Sequence, residues 1–458
     1  MSVKRGLIKN LLAGLWSRGA TIIFRLVQVP LIVTALGVDE FGRWLVLYSL
    51  PSWLTLANMG FGSVASNEMT MSVANGDTLK ARQVFSTTLA IITLIGIIGT
   101  ILTLSVVFFI PWESFLKASS GRHKEFSLAA LFLAVTVFVS FYFDAFGGRF
   151  RAARKGHMMV LIASFFPWLS LLGMIIALQF TKRFDYIAFS QMMAAILFAV
   201  VYSWLSRRSM RDLYFSFKQI KMAGSGGLFR KGLAFQAFPF GNALIFQGNI
   251  IIVQFILGPA AVALFGTVRT LVRTVNQAME MINQAIWPEM SHLFGAGDLK
   301  GAAKLHRNGV AGSILLSGLG LICLIFFGRT FYMLWVGSSI DLPQYLLLLF
   351  LLPIPFNALW LTSSVVHMSS NQHEGLAVRY LTATILSTIA CLALSYFFGL
   401  AGASVSTVVA DIILIPYVLK NSLALTQDTF QEFYHGVVNG LKELPFTTNK
   451  LIKKLKKG

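Results

Sequence analysis

Long apolar segments alternate with short polar connections along almost the whole chain. Twelve segments are long and apolar enough to cross a bilayer as helices. They are about residues 11–36, 42–65, 85–111, 126–147, 158–180, 186–206, 232–257, 261–286, 308–334, 342–367, 376–398 and 400–420. The 458 residues are 56% hydrophobic and 12% charged, whereas soluble domains carry about 25% charged residues. The pattern therefore predicts an all-α integral membrane protein of twelve spans.

The chain also contains an internal repeat. Three residue pairs recur at a constant spacing of 221 residues: Leu36-Gly37 with Leu257-Gly258, Glu68-Met69 with Glu289-Met290, and Gly76-Asp77 with Gly297-Asp298. Each half contains six predicted spans and returns to its starting side, so the halves are parallel repeats. We predict a first lobe over 1–207, a cytoplasmic linker over 208–231 with a short helix near Tyr214–Ile220, a second lobe over 232–423 and a basic tail over 424–458.

Positive charge is concentrated on one side of the predicted membrane. With the first residue placed in the cytoplasm, 27 of the 38 lysines and arginines fall in cytoplasmic segments, seven on the other side and four inside spans. This is the positive-inside pattern, and it predicts that both termini are cytoplasmic. Anionic lipid headgroups account for the net charge of +20 in short loops beside membrane helices, so the charge does not indicate a nucleic-acid partner.

Polar residues form a stripe in the first predicted span. Arg18, Thr21, Arg25 and Gln28 are spaced by three, four and three residues, which places them on one face of a helix. An ionised guanidinium in hydrocarbon costs about 3 kcal/mol even on the lenient insertion scale, so such residues usually face a bundle interior or a watery cavity. Arg18 alternatively extends its long side chain to the cytoplasmic surface. Arg25 lies too deep for that interpretation.

The eighth predicted span carries the longest polar face. Arg269, Arg273, Asn276, Glu280 and Asn283 are spaced by four, three, four and three residues. One interpretation is a polar seam between helices in which Glu280 neutralises an arginine. The repeat argues for function instead, because the equivalent positions of the second span are uncharged. They are Tyr48, Ser52, Thr55 and Met59. The arginines of the first and eighth spans together predict a cavity that receives an anion.

Two asparagines of the seventh span suit a sugar-bearing substrate. Asn242 and Asn249 are seven residues apart and share a helical face. Amides also bind across seams between helices, which is the alternative interpretation. His367, at the end of the tenth span, is expected at the cytoplasmic interface.

Carboxylates inside the spans are candidates for energy coupling. Asp411 in the twelfth span either carries a coupling proton or pairs with a buried arginine, and Glu280 is a second candidate. Asp144 is expected to form a salt bridge with the basic residues of 149–155. The repeat equivalents Glu68 and Glu289 are expected to anchor the Gly-Asp loops that follow them.

The sequence contains no pattern typical of an enzyme. We find no nucleophile elbow, phosphate-binding P-loop, metal-ligand spacing or carboxylate pair in an outer loop. A membrane glycan polymerase or ligase would expose a large outer loop, whereas the longest here is about 112–125. We therefore predict a transport protein without a cofactor, apart from a coupling ion such as H⁺ or Na⁺.

Two stretches carry a family resemblance. The first begins at Ala35 and reads ALGVDEFGRWLVLYSLPSWLTLANMGFGSVASNEMTMSVANGDTLKAR. The second begins at Asn371 and reads NQHEGLAVRYLTATILSTIACLALSYFFGLAGASVSTVVAD. Together with the length and the number of spans, they resemble the bacterial polysaccharide export family, which includes O-antigen flippases of the Wzx type.

The resemblance implies a V-shaped pair of six-helix lobes, similar to multidrug and toxin extrusion proteins, that works by alternating access in the bacterial inner membrane. The implied substrate is undecaprenyl pyrophosphate carrying a short oligosaccharide, moved from the cytoplasmic to the periplasmic leaflet. Basic cavity residues meet the pyrophosphate in that family, and the matching positions are Arg18, Arg25, Arg269 and Arg273. Membrane lipids, a glycan polymerase and a chain-length regulator are the implied partners. The alternative is a multidrug or metabolite cation antiporter, which the four arginines disfavour.

Overall fold

A computed structural model describes residues 3–58, 61–220, 236–337, 339–370 and 372–455. Side chains are described throughout these ranges except at 3–12, Leu15, Arg18, Arg25, Phe61, Ser63, Val64 and 443–455. Every regular element within the described ranges is a helix, and this confirms the predicted all-α membrane fold.

The described residues of the first half form nine α-helices. They are α1 (Val3–Leu36), α2 (Val38–Ser52), α3 (Phe61–Ala74), α4 (Thr78–Val107), α5 (Trp112–Leu116), α6 (His123–Ala152), α7 (Gly156–Ala163), α8 (Phe166–Phe180) and α9 (Phe184–Ser209). A 3₁₀ helix, Trp53–Asn58, follows α2, and a single 3₁₀ turn, Phe217–Gln219, follows α9.

The described residues of the second half form eight more. They are α10 (Ala237–Ala243), α11 (Asn249–Leu257), α12 (Pro259–Gly295), α13 (Leu299–Val336), α14 (Gln344–Leu351), α15 (Pro353–Ser369), α16 (Glu374–Thr426) and α17 (Phe430–Leu455). A π-helical turn, Leu244–Gly248, joins α10 to α11.

The chain divides into two compact units. The first comprises Met1–Ala243 with Gly258–Ala263, and the second comprises Leu244–Leu257 with Leu264–Gly458. The division falls inside the seventh predicted span, at the π-helical turn. The lobe limits expected from the sequence, 1–207 and 232–423, stay predictions.

Among the described residues, nine helical segments are long and apolar enough to cross a membrane. One of them, α16, is two helices joined at Gly399, whose φ of 59° and ψ of −140° are not helical. The second predicted span is interrupted by the 3₁₀ helix after Ser52, and the eighth corresponds to the charged helix α12. The chain is a multi-pass membrane protein, and the count of twelve spans stays a prediction.

The internal repeat is visible in the backbone. Asp77 caps α4 by accepting a hydrogen bond from the Lys80 N–H at 2.8 Å, and Asp298 caps α13 in the same way from the Gly301 N–H at 2.8 Å. Gly76 and Gly297, which precede these caps, have φ values of 78° and 72°. Such left-handed conformations favour glycine, so the repeated Gly-Asp pairs encode the same loop in both halves.

The repeated glutamates are not equivalent in their contacts. Glu68 forms an ion pair with Lys80 at 3.6 Å, which links the end of α3 to the start of α4 as expected. Glu289 is exposed and makes no ion pair with a described residue, so its predicted anchoring role is wrong. In the second repeat, the position equivalent to Lys80 is occupied by Gly301, which has no charged side chain to pair with Glu289.

Helix α6 is the centre of the first unit, where it packs against α3, α4 and α9. Phe138, Phe141 and Phe150 of α6 are buried with Phe85 of α4 and Tyr202 of α9. The ring centroids of Phe150 and Tyr202 are 5.5 Å apart. Close packing of this kind, rather than exclusion from water, holds helices together inside a bilayer.

One basic residue near the end of α6 is buried, whereas Arg151, Arg154 and Lys155 are exposed. Arg149 is only 4% exposed, with its guanidinium carbon 4.0 Å from the Phe85 ring centroid. Asp144 makes no ion pair with a described residue, so its predicted salt bridge is wrong. It faces the 3₁₀ helix instead, where it accepts a hydrogen bond from Asn58 Nδ2 at 3.0 Å.

An ion-pair network fixes the predicted outer loop of the first unit. Arg122 Nη1 contacts Glu40 Oε1 and Nη2 contacts Glu125 Oε1, both at 2.9 Å. Glu40 also binds Arg43 at 2.6 Å, and the Glu113 carboxylate accepts from the Arg122 backbone N–H at 2.7 Å. The hydrogen bonds that Arg122 donates to Glu125 and then to Glu40 outweigh the opposing effect of burial and raise the pKa of Arg122, so this residue stays charged while it joins α2, α5 and α6.

The described part of the predicted linker is extended rather than helical. Arg82 of α4 donates to the Asp212 carbonyl at 2.9 Å and to the Tyr214 hydroxyl at 2.8 Å. Within the predicted helix Tyr214–Ile220, only the single 3₁₀ turn Phe217–Gln219 forms, so the helical part is shorter than expected. Residues 221–231 of the predicted linker lie outside the described part.

Candidate functional site

Two arginines of α12 converge on one aromatic residue within the second unit. Arg269 Nη1 donates to the Phe246 carbonyl oxygen at 2.8 Å. The guanidinium carbons of Arg269 and Arg273 lie 5.4 Å and 4.4 Å from the centroid of the Phe246 ring. Both arginines are half-buried. One helical turn, about 6 Å along the axis, separates the two residues. They are therefore close enough for a single small anion to contact both guanidinium groups.

Phe246 is positioned by the π-helical turn Leu244–Gly248. Such turns contain one more residue than an α-helical turn and are frequent at functional sites. Here the turn presents both the carbonyl and the ring of Phe246 to α12. The sequence reasoning missed this residue, because an extra residue within an apolar segment leaves no mark on its composition.

Three asparagines near this face have unmet hydrogen-bonding atoms. Asn249 is fully buried, and neither amide atom has a partner among the described residues. The Oδ1 atoms of Asn276 and Asn283 are also without a described partner, although Asn283 Nδ2 donates to the Leu361 carbonyl at 3.4 Å. Buried amides left unpaired cost about 1–3 kcal/mol each, so these atoms are candidates for binding water or a polar substrate.

Asn242 and Asn249, which are predicted to share a helical face, differ in their exposure. Asn242 is exposed, whereas Asn249 is fully buried. The π-helical turn Leu244–Gly248 lies between them in the chain, and their shared face stays a prediction. Only Asn249 therefore keeps a place among the buried polar groups of the second unit.

Glu280 does not neutralise the arginines of its own helix. Its side chain is exposed and forms no ion pair with any described residue. The polar-seam interpretation relied on such a pair, and it loses that support. A role for Glu280 in coupling stays a prediction.

The stripe of the first span is only partly described. The Thr21 hydroxyl donates to the Ser17 carbonyl of its own helix at 2.8 Å, and Gln28 is half-buried. The side chains of Arg18 and Arg25 lie outside the described residues. Their predicted contact with an anion therefore stays a prediction from the sequence.

Asp411 is a buried carboxylate held by two neutral donors. It is 4% exposed, its Oδ1 accepts from Trp360 Nε1 at 2.7 Å, and its Oδ2 accepts from Asn357 Nδ2 at 3.1 Å. It forms no ion pair with a described residue, so the alternative of a buried arginine partner is not seen there. Asn357 and Trp360 are three residues apart on α15, a spacing that the sequence reasoning overlooked.

A second buried polar cluster lies between α13 and α15. His306 is 1% exposed and its Nε2 lies 2.9 Å from the Ser363 hydroxyl, while the Ser313 and Thr362 hydroxyls are 2.7 Å apart. His367, expected at the membrane interface, is also only 1% exposed. It is covered by α16, whose Tyr417 ring lies 6.1 Å from the imidazole, and its expected place at the cytoplasmic interface stays a prediction.

Cationic and amide groups inside one unit of a multi-pass helical protein are typical of a transporter rather than of a membrane anchor. The chain matches the family described as "Polysaccharide biosynthesis protein" over residues 7–294, and it belongs to that family. This confirms the resemblance found in the sequence.

Two named relatives agree with the family. "Uncharacterized membrane protein EpsK" of Bacillus subtilis (strain 168) is 19% identical over 427 residues, which cover 92% of this chain and 81% of that protein. "Putative O-antigen transporter" of Shigella dysenteriae is 23% identical over 175 residues, which cover 38% of this chain and 43% of that protein. The names of these relatives describe a membrane protein and a transporter, in agreement with the multi-pass helical fold.

Solved structures agree on the fold. An inward-facing multidrug resistance MATE family transporter of the MOP superfamily is similar with a TM-score of 0.78 and 12% identity, covering 89% of this chain and 96% of that chain. The lipid II flippase MurJ in an inward closed conformation has a TM-score of 0.72 and 14% identity, covering 97% and 93%. The chain thus has the fold shared by these two proteins.

Proposed function

We propose that this chain is a flippase for undecaprenyl-pyrophosphate-linked oligosaccharide, moving it from the cytoplasmic to the periplasmic leaflet by alternating access. The observation that carries the proposal is the convergence of Arg269 and Arg273 on Phe246. Family membership supports a polysaccharide-related substrate. The protein would act in the bacterial inner membrane with both termini in the cytoplasm, as the charge pattern indicates.

The chemistry of the arginines fits the diphosphate of such a lipid. A guanidinium group binds phosphate oxygens in pairs, and charge-assisted hydrogen bonds of this kind contribute about 1.5–3 kcal/mol each. Contact with the Phe246 ring and carbonyl restrains both arginines before the anion arrives, which lowers the entropic cost of binding. Arg18 and Arg25 are further predicted ligands for the same group.

The sugar part of the substrate needs neutral polar groups. Asn249, Asn276 and Asn283 contain amide atoms without described partners, and hydroxyl groups of a glycan can bind such atoms. Thr21, Gln28 and Asn242 are further candidates from the sequence. A polymerase and a chain-length regulator are the partners that we expect to receive the translocated unit.

Net movement in one direction needs an energy source, and Asp411 is our candidate for the site of coupling. A carboxylate buried in a membrane helix and bonded only to neutral described donors can gain and lose a proton, and either change alters its surroundings. Na⁺ is the alternative coupling ion, and Glu280 is the alternative site.

The test is translocation of a fluorescent undecaprenyl-pyrophosphate glycan in proteoliposomes, measured as protection from a glycan-modifying enzyme added outside. Arg273→Ala should slow translocation by roughly 10- to 100-fold, the loss of one charge-assisted contact. Arg329→Ala is the matched control, because Arg329 is half-exposed and pairs with the exposed Asp341 at 3.4 Å.

Two results would contradict the proposal. Normal translocation by both Arg269→Ala and Arg273→Ala would exclude the anion site on α12. No translocation by the wild-type protein, with gradient-driven efflux of a cationic dye from the same vesicles, would favour the cation antiporter instead.

A further inference from the structure

A polar cavity lies in the second unit, away from Arg269 and Arg273. Its volume is about 560 Å³, and it is bounded by the first turns of α13, the end of α16 and one face of α17. The charged and amide side chains that line it are Lys300, Lys304, Arg307, Asn308, Gln427, Asn439 and one carboxylate, Glu432, which lies beside Arg307. No residue predicted to bind the transported substrate is among them.

The cavity has a rigid wall because α17 is firmly held. Thr429 and Glu432 form a capping box at its start, with the Glu432 N–H donating to Thr429 Oγ1 at 3.2 Å and the Thr429 hydroxyl to Glu432 Oε2 at 3.0 Å. Phe433 and Val437 are buried against α13. Gly436, whose Cβ would overlap the Arg307 side chain, permits this close approach.

The positive charges of the cavity are unequally compensated. Arg307 Nε donates to Asp428 Oδ2 at 2.7 Å, and its guanidinium is also 3.7 Å from Glu432. Lys300 and Lys304 are exposed, one turn apart on α13, and neither forms an ion pair with a described residue. The cavity therefore offers two uncompensated ammonium groups beside the amides of Asn308, Gln427 and Asn439.

The cavity lies at the ends of two helices that are long and apolar enough to cross a membrane. Lys300 belongs to the first turn of a membrane-spanning helix, and Gln427 directly follows the last residue of another. Phe430 and Tyr434, one turn apart on α17, are 67% and 59% exposed, and aromatic residues of this kind are enriched at membrane interfaces. The first N–H groups of α13 do not define the site, since Asp298 caps them.

We propose that this cavity binds the phosphodiester headgroup of an anionic phospholipid, with Lys300 and Lys304 contacting the phosphate and the amides contacting the rest of the headgroup. The proposal concerns a second site and does not depend on the transport function above. Lysines without an ion-pair partner near a membrane surface attract anionic lipids, and the walls of the cavity restrict which headgroups can bind.

The experiment measures binding of a fluorescent short-chain phosphatidylglycerol to the full-length protein in neutral detergent at physiological ionic strength. Lys300→Gln combined with Lys304→Gln removes the two uncompensated charges. Lys420→Gln combined with Lys442→Gln is the matched control, because both lysines are exposed, belong to α16 and α17 and do not line the cavity. Size-exclusion profiles establish that each double variant is folded.

We expect about fivefold weaker binding for each cavity lysine removed, or roughly 25-fold for the pair, and less than about twofold for the control pair. A matching phosphatidylcholine should bind the wild-type protein far more weakly. Equal losses in both double variants would overturn the proposal, because they would indicate general attraction to positive charge. Equally tight binding of water-soluble glycerol phosphate would also overturn it, because the source would then be a free phosphate compound.

Discussion

Replacing Asp411 separates its structural role from the coupling role proposed for it. In the wild-type protein, Asp411 accepts a hydrogen bond from Trp360 Nε1 at 2.7 Å, and an asparagine at this position has an oxygen that can still accept it. A leucine has a similar volume to the aspartate but leaves that buried donor unpaired. Both substitutions remove the carboxylate charge, so the cost of burying that charge cancels when the two variants are compared. The comparison therefore isolates the hydrogen bond.

The expected difference follows from the contacts. An unpaired buried donor costs about 1–3 kcal/mol, so Asp411→Leu should be less stable than Asp411→Asn by about that amount. Asn357 adds little to the difference, because its Nδ2 also donates to the Pro353 carbonyl at 2.9 Å and stays partly paired in both variants. Heating the detergent-solubilised protein and following its size-exclusion peak measures the difference.

Transport measurements complete the test. Asp411→Asn should bind the glycan lipid normally but lose its response to an imposed proton gradient, because asparagine cannot exchange a proton. Asp341→Asn, at a side chain that is 71% exposed, should behave as wild type. If Asp411→Leu is as stable as Asp411→Asn, the hydrogen bonds do not hold this residue. If Asp411→Asn still responds to the gradient, the coupling site lies elsewhere.

Two further predictions concern stability, and the same heating assay checks both. Gly402→Ala should destabilise the protein by about 1–3 kcal/mol, because a Cβ there would overlap the Leu394 carbonyl oxygen. Gly318→Ala is the control and should be neutral or slightly stabilising, because no atom lies within 4 Å of the added Cβ. Equal effects of the two substitutions would refute this packing. Asp77→Ala and Asp298→Ala should each lower the free energy of unfolding by about 0.5–2 kcal/mol, because each removes a helix cap. Destabilisation by only one of the two substitutions would contradict the structural equivalence of the repeats.

The helical fold and the repeat could be predicted from the sequence, because both depend on local features. Apolar length defines the spans, and the Gly76-Asp77 and Gly297-Asp298 pairs combine a left-handed glycine with a capping carboxylate. The Gly399 break between the last two predicted spans was likewise marked by glycine in an apolar run. Local signals of this kind need no knowledge of the neighbouring helices.

The contacts of the site residues could not be predicted, because they depend on partners far away in the chain. Asp411 is bonded to Trp360 and Asn357 of a different helix, and no sequence period connects them. The position of Phe246 depends on a π-helical turn, which changes the helical phase without changing the composition.

The repeat provides an internal comparison for the basic face of α12. In the first repeat, the equivalent hydroxyls bond to their own backbone: Ser52 Oγ donates to the Tyr48 carbonyl at 3.0 Å, and Thr55 Oγ1 to the Ser52 carbonyl at 2.6 Å. In the second, Arg269 extends from its own helix to the carbonyl of Phe246 in another segment. Since one half folds without charges at these positions, the fold does not require them, and their energetic cost in a membrane is best explained by binding an anion.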